Sequence, residues 1–232
     1  MDKKTRFTGN VGKKFNEDGS AKRFPGNTII CHIPNQSPQF DFLMKIRGEL
    51  MRQSWIKKYS LLPPSSFHMT VIEGICDSVR KPSHWPTKLA LDASLKEADE
   101  FFIQQFNEII PPQSFQTTGT YLFIGNTIGM RIVPVSVEMK DLMRKYRDHV
   151  AEKLGLWFPG HDFYQFHVSF AYLIERLSFK ERIQTLRFMK RIRKEIKSNF
   201  GILTLNTPEL TFFENMTNFA PSRNSSNQNI KE

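Results

Sequence analysis

Six histidines occur in the 232-residue chain, and two of them share a setting. "FHMTVIEGI" begins at Phe67 and "FHVSFAYLI" at Phe166, 99 residues later. His68 is followed two positions on by Thr70, and His167 by Ser169; no other histidine has a hydroxyl residue at that spacing. Both stretches are apolar and β-branched or aromatic, which reads as strand. Side chains two apart on a strand share a face, so each imidazole has a hydroxyl beside it. The unperturbed pKa of histidine is about 6.5, so near neutral pH one ring can take a proton while the other gives one. The hydroxyls could hold non-bridging phosphate oxygens or steer the rings. One such strand would be read first as a satisfied buried imidazole; two in equivalent register point to a site.

Alternation assigns the faces. Phe67, Met69 and Val71 share one, with His68, Thr70 and Ile72 on the other. Phe166, Val168 and Phe170 share one, with His167, Ser169 and Ala171 on the other. The phenylalanine faces should pack under helices and the histidine faces should look into a groove. On the preceding strands, Thr28, Ile30 and His32, and likewise Thr127, Gly129 and Arg131, fall on the groove side. His32 and Arg131 are thus candidate substrate-binding groups, Arg131 adding charge opposite a developing phosphorane. Tyr164 and Phe163 fall at the rim, where a ring could stack a base. Glu73 and Tyr172 fall on the helix side, and only a bulge would turn them to the groove. Trp55, Trp85 and Trp157 are assigned to packing.

The elements that position these residues repeat. "GNTIICHIPNQS" at Gly26 and "GNTIGMRIVPVS" at Gly125 are again 99 apart, and Ser37 and Ser136, both helix caps, keep the step. Pro38 follows Ser37 at the first helical position. Ser94 with Glu97, and Ser178 with Glu181, have the spacing of capping boxes. The order is β-α-β-α-β, twice. The expected class is α+β: two pseudo-symmetric lobes of largely antiparallel sheet around a central groove, helices outside. Residues 1–24 read as an arm or small hairpin. Residues 25–218 read as one bilobal domain, with lobes at about 25–124 and 125–218. Residues 219–232 read as a disordered tail.

The net charge of +10 favours anionic partners. Eight basic and two acidic residues fall in 180–197, a pattern expected of the solvated face of an amphipathic helix. No apolar run approaches the roughly 20 residues that span a bilayer, and the N-terminus lacks an apolar secretory segment. Cys31 and Cys76 make no disulfide framework, consistent with a reducing cytoplasm. Cys31, His32, Cys76 and His84 match no tight metal-ligand spacing. No cofactor, metal or membrane partner is expected, and the chain is expected to be a monomer.

The paired His-x-Thr/Ser strands in duplicated halves resemble the 2H phosphoesterases. "FPGNTIICHIP", "LPPSSFHMTVIEG" and "FHVSFAYL" are similar to a bacterial and fungal branch of that superfamily. By position, His68 and Thr70 match its first motif and His167 and Ser169 its second. The resemblance implies metal-independent hydrolysis of a cyclic phosphate or a 2′,5′ phosphodiester, on a nucleotide or RNA-derived substrate. One histidine would activate water and the other protonate the leaving ribose oxygen; the resemblance does not assign which. The alternative is a non-catalytic RNA or nucleotide binder using the same groove.

Overall fold

A computed structural model describes residues 6–223. Nine strands form one antiparallel sheet: β1 (Gly26–His32), β2 (Tyr59–Leu61), β3 (His68–Ile72), β4 (Phe115–Ile124), β5 (Thr127–Pro134), β6 (His167–Leu173), β7 (Ile202–Leu205), β8 (Glu209–Asn215) and β9 (Asn218–Ala220). Their spatial order is β7-β4-β5-β6-β3-β1-β8-β9, with β2 paired to β6. Among the described residues four α-helices of more than one turn accompany it: α1 (Pro38–Met51), α2 (Leu95–Asn107), α3 (Val137–Leu154) and α4 (Phe179–Asn199).

Local chemistry places the helices where the sequence predicts them. The Ser37 and Ser136 side chains accept from the N–H groups of Phe40 and Met139. Ser94 with Glu97, and Ser178 with Glu181, form complete capping boxes. Each cap satisfies donors that a helix start leaves open. The basic helix α4 buries Thr185, Phe188, Ile192 and Ile196 and leaves its charges outside. Leu43, Ile46 and Leu50 of α1 join Ile29, Cys31, Met69, Val71, Val168 and Phe170 in the main core. The phenylalanine faces of the histidine strands therefore pack as alternation predicts.

The pseudo-symmetry holds, with an exchange that the expected lobe boundary at residues 124/125 misses. The last strand of each half crosses over: β4 pairs with β5 and β7, whereas β8 pairs with β1. The halves meet where Met69 pairs with Val168. The two histidine strands are thus neighbours in one sheet rather than walls of two lobes facing each other.

A second departure comes from two bulges. Ile29 and Ile30 pair with Ile72 and Thr70, leaving Val71 extra; Ile128 and Gly129 pair with Ala171 and Ser169, leaving Phe170 extra. Val71 and Phe170 are themselves 99 residues apart. A bulge resets the alternation beyond it. Ile72 and Ala171 accordingly join the main core rather than the groove face. Glu73 and Tyr172 turn into the groove.

The N-terminal segment is packed. Phe15 is fully buried and, with Phe24, Leu62, Ile174, Phe213 and Met216, forms a second cluster on the groove side. Residues 1–5 of that expected arm lie outside the described residues. The first residues of the expected tail are ordered: β9 takes in Phe219 and Ala220, and Arg223 pairs with Asp99 and Glu214. Residues 224–232 of the expected tail lie outside the described residues. Trp55 and Trp85 are buried, but Trp157 is half exposed against His161, so its expected packing role is not what it does. Among the described residues no helix is long and apolar enough to cross a membrane.

Candidate active site

A cavity of about 600 Å³ lies over the groove face where β3 meets β6. His68, Thr70, His167 and Ser169 all line it. Because Met69 pairs with Val168 antiparallel, His68 lies opposite Ser169 and Thr70 opposite His167. Each imidazole thus neighbours a hydroxyl along its own strand and another across the ladder.

The two rings are tethered alike. The Nδ1 of His68 lies 2.7 Å from the Ser66 carbonyl oxygen, and that of His167 lies 2.9 Å from the Gln165 carbonyl oxygen. A carbonyl only accepts, so Nδ1 carries hydrogen in both rings and Nε2 is left for chemistry. Ser66 and Gln165 again stand 99 residues apart, so the repeat carries the tether as well as the motif.

Their surroundings differ. The Phe219 ring lies 4.4 Å from the His68 ring, while His167 has Phe123 at 5.7 Å and Tyr164 at 6.4 Å. Burial pushes the His68 pKa down to about 4. The Ser66 carbonyl opposes that shift, and the neighbouring His32 and His167 reinforce it. His68 is therefore neutral at pH 7.

Tyr164 and Thr70 both line the cavity, and the Thr70 hydroxyl opposes part of the rise that burial imposes on the Tyr164 pKa. Behind it the Arg147 guanidinium of α3 stacks on the Tyr164 ring at 4.1 Å. Arg147 is almost wholly buried, donates to the carbonyl of the bulged Val71 and stands 4.0 Å from Glu73. From the other side the Thr28 hydroxyl donates to the Ile72 carbonyl at 2.9 Å. The bulge that turns Glu73 into the groove is held from both sides. The chain then bends at Gly74, whose φ of +64° and close approach to the Asn27 carbonyl exclude a β-carbon.

Two expected groups stand beside the cavity without lining it. His32 pairs with His68 across the ladder, but its Nε2 lies 3.2 Å from Glu209 Oε1. Arg131 pairs with His167, and its Nη1 donates to the Phe166 carbonyl. Each is on the expected face, but each side chain is turned to a nearer partner. The exposed Phe163 does not line the cavity either.

Other lining residues escaped the sequence reading. The N-terminal segment contributes Asn10, Lys13 and Lys14, and the β8–β9 region contributes Phe213, Met216 and Phe219. These come from the chain ends, and no local pattern places them over the groove. His84 and Phe158 come from the loops at 76–93 and 155–162. A larger and shallower depression of about 720 Å³ lies around Gln113, Asn206 and Glu209. Among the described residues Glu209 is its only ionisable one, and these offer no acid–base pair.

Residues 14–123 match the family model described as "2H-phosphodiest: Domain of unknown function (DUF1868)". The crystal structure of a conserved protein of unknown function from Agrobacterium tumefaciens str. C58 matches with a TM-score of 0.83 at 21% identity. That match covers 95% of this chain and 97% of the other, and it shows the fold. The crystal structure of E. coli LigT complexed with ATP matches with a TM-score of 0.44 at 8% identity, covering 82% and 87%. No curated protein matches the chain.

Proposed function

The chain belongs to the 2H phosphoesterase superfamily, and on that premise we propose that it hydrolyses a cyclic phosphate or a 2′,5′-linked oligonucleotide by two-histidine acid–base catalysis. The observation that carries the reading is the tethered pair. Two imidazoles with Nδ1 held by backbone carbonyls stand in one cavity, each beside two hydroxyl positions.

The neutral His68 is the ring suited to accept a proton. Its Nε2 takes a proton from water as the water oxygen attacks phosphorus. The bond from phosphorus to the leaving ribose oxygen breaks, and His167 delivers a proton to that oxygen from Nε2. The donor must be a cation, a role that a neutral His68 does not fill. Thr70 and Ser169 donate to the non-bridging oxygens, with Tyr164 lining the cavity beside them. Both protons are handled by imidazole, so the scheme calls for no metal.

The test is a panel run in EDTA: 2′,3′-cyclic nucleotides, 2′,5′-oligoadenylate, 3′,5′-cyclic dinucleotides and RNA ending in a cyclic phosphate. Turnover of the first, second or last class is expected. Turnover that needs an added divalent cation would contradict the scheme. Tight binding across the panel with no turnover would support the non-catalytic alternative.

A further inference from the structure

We propose that the end of the cavity closed by the N-terminal segment is a second anion subsite, centred on Lys14, that holds a further phosphate of the same ligand. This rests on the preceding reading and narrows it, to a nucleoside cyclic phosphate that also carries a 5′ phosphate.

Lys14 is fixed by a built environment. Its neighbour Phe15 is fully buried and packs 5.3 Å from the Tyr172 ring, so the segment is anchored to the sheet. The Lys14 ammonium lies 5.3 Å from the Phe24 ring centre and 5.0 Å from that of Tyr172. Aromatic faces compensate a cation partly, and less than a carboxylate does. Among the described residues no carboxylate pairs with it, and burial, only partly opposed by Cys76, pushes the Lys14 pKa below the usual lysine value. An anion brought by a ligand would reverse that shift.

The balance of charge around the cavity agrees. Among the described residues its ionisable lining, cysteine and tyrosine aside, is Lys13, Lys14, Glu73 and the histidines 68, 84 and 167. Glu73 faces Arg147 at 4.0 Å, so the one carboxylate is already opposed. Lys13 and Lys14, at the segment end, have no carboxylate partner among the described residues, and Lys14 is the less exposed of the two. Tyr172 is three residues along β6 from Ser169, on the order of 10 Å at the usual strand rise. One nucleotide spans that interval, its 5′ phosphate lying across the sugar from the 2′,3′ edge. Phe24, Phe213 and Phe219 supply apolar walls between the two ends.

The experiment compares adenosine 2′,3′-cyclic phosphate with its 5′-phosphorylated form on wild type, Lys14→Met and Lys14→Arg. Wild type should show a KM about tenfold lower for the 5′-phosphorylated substrate, as expected for one charge-assisted contact. The ratio should fall to about one in Lys14→Met, which keeps the packed stem, and recover in Lys14→Arg. Calorimetric binding of adenosine 2′,5′- and 3′,5′-bisphosphate, against the same ligands without the 5′ phosphate, reads the subsite without catalysis. A Lys14-dependent binding preference with no hydrolysis would sustain the subsite and defeat the hydrolase reading. Hydrolysis with no 5′-phosphate preference, or a preference that survives Lys14→Met, would overturn the subsite alone.

Discussion

The two halves hold their histidines identically and surround them differently. In both, Nδ1 is tied to the carbonyl two residues back, and a bulge follows at Val71 or Phe170. At equivalent positions the side chains diverge. Ile30 corresponds to Gly129, His32 to Arg131 and Gly48 to Arg147, each 99 residues apart. Across the ladder, Ile30 pairs with Glu209 where Gly129 pairs with Phe123. The bulged Phe170 carbonyl accepts from the Leu62 backbone N–H at 2.8 Å, whereas the bulged Val71 carbonyl accepts from Arg147. The repeated backbone places two imidazoles symmetrically; the unrepeated side chains make one neutral and covered and leave the other more open. That division is what acid–base catalysis needs from two copies of one residue.

The largest effect should come from removing either ring. His68→Ala and His167→Ala are each expected to lower kcat/KM by about 10²–10⁴-fold on the substrate found in the panel. Urea midpoints should stay close to wild type, since neither ring belongs to the main core. Equal pH profiles in His68→Gln and His167→Gln would break the idea that the halves have separate roles.

How much of this was legible follows from range. The 99-residue repeat, the four caps and the faces of Met69, Val168 and their neighbours depend on residues close in sequence, and they are where the letters put them. The strand exchange is a matter of distant pairing, and a β-α-β-α-β pattern is compatible with either partner. The bulges were hidden because an apolar run such as "MTVIEG" alternates equally well with or without one extra residue. His32 lies on the expected face but is turned to Glu209, a residue brought near only by the β1–β8 register. The arm with Lys14 looked loose because its anchoring residue, Phe15, meets its partners only in three dimensions.

Arg147 is the next place to press, because Gly48 gives the other half nothing like it. Arg147→Met would leave the Val71 carbonyl without its donor and Glu73 without its cation. A hydrogen bond from a charged group inside the protein is worth about 1.5–3 kcal/mol, so a stability loss of about 3 kcal/mol by chemical denaturation is expected. Turnover should fall as well, because Tyr164, which lines the cavity, loses the plane it stacks on. Unchanged stability would mean that the bulge holds without Arg147 and that the asymmetry at this position is idle.

A smaller effect is expected from uncovering His68. Phe219→Ala opens the ring to water, so its pKa should rise from about 4 towards the ordinary value, followed by NMR titration of the imidazole. The sign for stability follows from proton binding. The unfolded chain takes a proton near pH 6.5 that the folded site refuses until about pH 4, so wild type loses stability as pH falls through that window. Above the unfolded value the contribution is constant. Phe219→Ala should lose less than wild type between pH 7 and pH 5, compared by urea midpoints. A His68 titration that does not move would place the cause of its depression elsewhere than the covering ring.

The smallest effect should come from Gly129. The space that the Ile30 side chain fills in the first half is taken in the second by the Phe123 ring, which a β-carbon at Gly129 would strike. Phe123 in turn packs edge-on to His167. Gly129→Ala should therefore shift one terminal ring without touching backbone, for about 1 kcal/mol in stability, the low end for added volume, and a few-fold loss in rate. The informative readout is which imidazole responds. If the asymmetry is local, the His167 resonances move and those of His68 stay. If both move together, the halves are coupled through the shared β3–β6 contact. The separate environments would then be one environment seen from two sides, and the division of acid and base would have to come from the bound phosphate instead.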